Sequence, residues 1–185
     1  KCIEKLKFLS DFPELLCFEK RLAHFQNKMK KRITKDEYLD VNVDRSTVLV
    51  DSYEQLYRKT REEWLCKLRI SFKGEKGVDM GGLTKEWFSL VTKEIFNPNF
   101  ALFNLSENQT YQPNPLSGIN AEHIGYFRFI GKVIARALIQ RQCVNAHFTR
   151  SFCRQILHQQ VKLKDFEDIN ENIYKSMKSI LDDDV

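Results

Sequence analysis

Glycine and proline are scarce in this 185-residue chain, seven and four in all. That scarcity argues against disorder and against an all-β sandwich, whose many turns consume both residues. No stretch approaches the ~20 consecutive apolar residues of a membrane span. The opening Lys1-Cys2-Ile3-Glu4-Lys5 is charged throughout and lacks the apolar stretch of a signal peptide. No C-x-x-C occurs, and the five cysteines, Cys2, Cys17, Cys66, Cys143 and Cys153, are odd in number. The expectation is a reducing compartment, cytoplasmic or also nuclear, with free and largely buried thiols. There is no G-x-S-x-G nucleophile elbow, and no pattern pairs the many carboxylates.

Near-matches to ligand motifs also fail on inspection. Gly77 and Gly82 have the G-x-x-x-x-G spacing of a phosphate loop, and Thr84 could supply the hydroxyl, but Leu83 stands where the lysine is needed and Lys85 is out of register. The glycine turn (Gly74, Gly77, Gly81, Gly82) is therefore expected to be structural, letting a helix start close against a strand. Cys143, His147, Cys153 and His158 are soft metal-ligand types within sixteen residues. On one helix, Cys153 and His158 would point roughly 140° apart, so no metal site and no cofactor are expected.

What the chain has is core-building material: 42% hydrophobic residues, including fourteen phenylalanines. The net charge of +5 is spread among interleaved acids and bases. The one dense basic run, Lys28, Lys30, Lys31 and Arg32, falls where a helix should end and complements its dipole. No nucleic-acid partner is expected.

Residues 2–32 read as helix, broken near Asp11 and Pro13, with a stripe of Leu15, Leu22, Phe25 and Met29. Leu39, Val41 and Val43 alternate with polar residues as a strand, and Leu68, Ile70 and Phe72 do the same more clearly. Helices are expected from Thr47 to about Lys59, briefly through Trp64 and Leu65, and from Leu83 or Thr84 to Phe96. Residues 104–120 hold two of the four prolines and read as an exposed loop. A central helix should run from an Asn120 N-cap to about Gln142, apolar on most of its circumference. Two more follow, one carrying Phe148, Phe152 and Ile156, the other Ile173, Met177, Ile180 and Leu181. The fold class is mostly α with a few short β-strands (α+β).

The run Phe72-Lys73-Gly74-Glu75-Lys76-Gly77-Val78-Asp79-Met80-Gly81-Gly82-Leu83-Thr84-Lys85-Glu86-Trp87-Phe88 resembles the HECT family of ubiquitin ligases. The likeness continues through Lys93-Glu94-Ile95-Phe96-Asn97-Pro98, Tyr126-Phe127-Arg128-Phe129-Ile130-Gly131-Lys132-Val133 and Thr47-Val48-Leu49-Val50-Asp51-Ser52-Tyr53. The resemblance implies the large subdomain of that family's N-lobe over residues 18–185, behind a helical extension over 1–17. It implies a parent enzyme that takes ubiquitin from a conjugating enzyme onto its own cysteine and passes it to lysines of protein substrates. In the family that cysteine lies in a C-terminal lobe, just before a phenylalanine. No cysteine here has that context, so the thioester cysteine is expected downstream of Val185, with the conjugating-enzyme docking subdomain. The fragment alone is expected to be inactive. The alternative is a non-catalytic interaction module.

The resemblance also implies a non-covalent ubiquitin-binding surface using Tyr53 and Phe152. An exposed tyrosine beside an exposed phenylalanine would make a small apolar anchor. Both residues could equally pack the core, since Tyr53 shares a helix with Leu49 and Leu56, and Phe152 lines up with Phe148 and Ile156.

Overall fold

The frame is a strand–helix–strand unit. The computed structural model describes residues 16–33, 37–77, 81–144 and 146–183. Strand β1 (Tyr38–Val43), helix α2 (Val48–Leu56) and strand β2 (Lys67–Phe72) follow helix α1 (Phe18–Lys30). β1 and β2 pair in parallel, with Tyr38 opposite Lys67 and Val43 opposite Phe72. Parallel strands need a covered face, and the alternation supplies it: Leu39, Val41, Val43, Leu68, Ile70 and Phe72 are all buried. α2 packs on β1, and helix α3 (Gly82–Ile95) packs on β2 and α2. Between α2 and β2 a short 3₁₀ turn, Glu63–Leu65, buries Trp64.

Helix α4 (His123–Gln140) crosses this layer, touching α1 and α2. It buries Phe129, Ile130, Val133 and Ala137. It is not covered all round, as its composition suggested: Ile124 and Leu138 are each 54% exposed. Nor does it start at Asn120. The Asn120 side-chain oxygen accepts from Glu122 N at 3.1 Å, and its carbonyl accepts from His123 N at 3.0 Å, which closes a turn ahead of the helix. Arg141 ends α4 in the left-handed region, φ 57°.

The segment expected to be loop holds a hairpin, β3 (Phe103–Leu105) against β4 (Tyr111–Pro113). Three-residue strands are too short to show alternation. What holds them is the buried Phe103, in a ring cluster with Phe96, Phe127 and Phe148. Helix α5 (Arg150–Ile156) starts after Phe148 because the Thr149 hydroxyl accepts from Phe152 N at 3.3 Å. Its expected inward residue Ile156 is 56% exposed. Helix α6 (Glu171–Asp183) leaves Ile173, Met177, Ile180 and Leu181 exposed.

Further expectations change with the structure. Of the four described cysteines only Cys66 is buried; Cys17, Cys143 and Cys153 are exposed. Cys17 precedes α1, which itself leaves Leu22 and Phe25 each 38% exposed. Gly81 has φ 102°, so only its backbone conformation resists a side chain; Gly82 begins α3, and a Cβ at either meets nothing within 4 Å. The packing reason expected for this glycine pair therefore does not hold. The expected extension over residues 1–17 lies outside the described residues as far as position 15, as do Cys2, Pro13 and Leu15.

Candidate functional site

Tyr53 sits on the inner face of α2 with Leu49, Ser52 and Leu56. Its ring stacks on Tyr126 at 4.2 Å between centroids and meets Tyr57 at 4.8 Å and the edge of Phe129 at 5.9 Å. The hydroxyl donates to Glu122 Oε2 at 3.0 Å. Desolvation, reinforced by that carboxylate, pushes the phenol up to about 12, so it stays a neutral donor. Room for it comes from Gly125, where a Cβ would lie 2.1 Å from the Tyr53 hydroxyl oxygen. This is the glycine whose missing side chain the packing requires, and it lies outside the glycine turn.

Phe152 belongs to another cluster. Its ring meets Phe148 at 5.2 Å and Phe103 at 6.3 Å, both edge-on, and it is half-buried. The two residues singled out by motif thus sit in separate aromatic groups. Tyr53 is only 9% exposed, and its ring packs the core.

The neighbours of Tyr53 in the Asp51-Ser52-Tyr53 motif latch elements together. Ser52 is fully buried; its hydroxyl accepts from Trp87 Nε1 at 2.9 Å and donates to Val48 O at 2.5 Å, tying α2 to α3. Asp51 accepts from Lys73 Nζ at 2.6 Å, Asp44 N at 2.9 Å and the Thr47 hydroxyl at 2.9 Å. The Lys73 ammonium, first, holds its carboxyl below the ordinary range. At the glycine turn Arg45 pairs with Glu75 and, at 2.7 Å, with Glu86, its guanidinium lying 4.1 Å over the Phe72 ring.

Two cations on α4 were missed. Arg136 is 2% exposed and donates to Trp64 O at 2.9 Å and Cys66 O at 2.5 Å. Lys132, one turn earlier, donates to Tyr57 O at 3.2 Å and Lys59 O at 3.0 Å. Together they clip the α2–β2 connection onto the central helix. Burial lowers the Arg136 guanidinium from its usual value. The available signal was a row of basic residues, Arg128, Lys132 and Arg136, spaced by four along a largely apolar helix.

Two of the described cysteines have defined surroundings. Cys66 lies against Glu37 Oε2 at 3.4 Å, an acceptor for its proton. Cys153 is exposed as a residue, yet desolvation pushes its thiol up, away from thiolate. Among the described residues no group of three or more His, Cys, Asp or Glu is placed to hold a metal, and no helix is long and apolar enough to cross a membrane.

A family model described as HECT-domain (ubiquitin-transferase) matches residues 89–185. The E3 ubiquitin-protein ligase TOM1 of Saccharomyces cerevisiae is 40% identical over 176 residues, covering 94% of this chain and 5% of that protein. The E3 ubiquitin-protein ligase HUWE1 of Mus musculus is 36% identical over 181 residues, covering 96% and 4%. The E3 ubiquitin-protein ligase NEDD4 of Homo sapiens is 37% identical over 171 residues, covering 90% and 13%. The chain thus spans 4–13% of the length of these relatives.

Proposed function

From the premise that this chain belongs to the HECT-domain (ubiquitin-transferase) family, we propose that it is the large N-lobe subdomain of a ubiquitin ligase. In this reading it is a scaffold, and the parent enzyme accepts ubiquitin from a conjugating enzyme on a cysteine outside this chain. Ubiquitin then passes to lysines of protein substrates. The observation that carries the reading is the family match over residues 89–185, which takes in the central helix and the hairpin packed beside it. The unactivated Cys153 and the buried Cys66 support a nucleophile elsewhere. The four described cysteines form no disulfide, which supports a reducing, cytoplasmic compartment.

The test is ubiquitin charging with activating enzyme, conjugating enzyme and ATP. A longer protein containing this chain is expected to form a reductant-sensitive ubiquitin adduct, and this chain alone is not. An adduct on this chain that disappears when its five cysteines are changed to serine would overturn the scaffold reading.

A non-covalent ubiquitin contact at Phe152 and Tyr53 is part of the proposal and rests on motif. Phe152 is half-buried, whereas Tyr53 is buried and its hydroxyl is engaged by Glu122. Titration of labelled ubiquitin with this chain reads it by NMR. Shift changes that weaken in Phe152→Ala support the contact; no shifts at ~1 mM protein, a concentration that would reveal even a weak complex, remove it.

A further inference from the structure

A cavity of about 330 Å³ opens between the end of α1, the turn around Trp64 and the flank of α4. Met29, Trp64, Leu65, Ala135 and Ile139 form its apolar wall. Its charged lining is Arg32, Arg61, Lys132 and Arg136, and no carboxylate is among the described lining residues. Elsewhere on the surface Arg45 and Arg69 each sit on a carboxylate.

The four cations differ in what they have left to give. Lys132 is engaged with two carbonyls and stands 5.9 Å over the Trp64 ring. Arg136 is engaged through both terminal nitrogens, but its Nε is buried without an acceptor. An unsatisfied donor of that kind is costly in a finished core. Arg32 and Arg61 are exposed and make no ion pair among the described residues. The positive field of all four converges on one apolar chamber, where low dielectric strengthens it. The volume and the mostly apolar lining match those of pockets that take small molecules.

We propose that this cavity binds a small organic anion: an apolar body lying against Trp64, Leu65 and Ile139, with a carboxylate or phosphate head held at the mouth by Arg32 and Arg61. Arginine is suited to that head because its planar fork matches both groups bidentately. The site is separate from the motif residues Tyr53 and Phe152 and does not depend on the transferase reading.

Anilinonaphthalene sulfonate, an anion on an apolar body, serves as reporter, with octanoate, octyl phosphate and octan-1-ol as competitors. The expected result is saturable fluorescence enhancement reversed by octanoate and octyl phosphate, with octan-1-ol at least about tenfold weaker, the discrimination that one charge-assisted hydrogen bond of ordinary strength supplies. Whichever anion competes better assigns the head. Arg32→Glu and Arg61→Glu should each weaken both anions at least about tenfold while the melting temperature stays unchanged. Arg128→Glu, on an exposed part of α4 outside the cavity, should bind as the parent does. Ala135→Trp, which fills the chamber, should abolish the signal. Absence of saturable reporter binding, equal competition by octan-1-ol, or unchanged affinity in the two charge reversals overturns the proposal.

Discussion

Helices α3 and α6 are nearly equal in length, fourteen and thirteen residues, and both carry an apolar stripe. In α3 that stripe disappears from solvent: Trp87, Phe88, Val91 and Ile95 are each 0–1% exposed. In α6 the corresponding Ile173, Met177, Ile180 and Leu181 are 40–63% exposed. α3 lies on β2 and α2, while α6 touches the short turn at Leu163–Phe166. An apolar stripe is thus a capacity for burial, realised only when another element lies across it. A large uncovered stripe marks a surface used for contact.

The comparison can be pressed from the heavily covered side outward. Trp87→Ala should show the largest effect, about 3–5 kcal/mol of lost stability, because it empties a fully buried ring site. It also leaves the Ser52 hydroxyl without its donor. Urea unfolding measures this, and a loss near zero would mean that α3 is not the wall it looks like. Gly125→Ala should come next, at about 1–3 kcal/mol, since the added carbon must displace the Tyr53 hydroxyl. The helix-propensity gain of alanine, about 1 kcal/mol, works against this cost, so a net stabilisation would show that Tyr53 can swing out freely.

Two smaller effects separate backbone from side chain. Tyr53→Phe should cost about 1 kcal/mol through the hydrogen bond to Glu122. It should also flatten the alkaline limb of the stability profile. The folded phenol is pushed up to about 12 from 10.0, so its contribution is complete below pH 10 and is lost as pH rises through about 12. Unfolding of both proteins between pH 8 and 12 reads the difference. Gly81→Ala, at φ 102°, should cost about 1 kcal/mol, whereas Gly82→Ala at the first turn of α3 should cost nothing or stabilise slightly. Equal losses at both glycines would mean that something packs on the turn after all.

The smallest effects belong to α6. Met177→Ala and Ile180→Ala should each change stability by no more than about 0.5 kcal/mol, as ordinary surface positions do. A loss of about 2 kcal/mol at Ile180 would break the comparison, because it would place a partner surface over α6 in solution.

Where alternation or helical period spanned six residues or more, the sequence alone determined the element. β1, β2, α3 and their order were legible, because a two-residue or 3.6-residue rhythm is a local property of the chain. The short hairpin at Phe103–Leu105 and Tyr111–Pro113 was not legible, since its stability comes from a ring cluster assembled from distant segments. The motif around Tyr53 was visible as a string of residues, but its burial under Tyr126 and Phe129 was not. Periodicity says which residues share a face; it does not say whether anything covers that face. Tertiary structure alone decided that Gly125 makes room for Tyr53, and that Arg136 clips carbonyls some seventy residues away. It alone left α6 uncovered while closing α3. In each case the deciding energy is contact or desolvation between residues far apart in sequence, which exists only once the chain has brought them together.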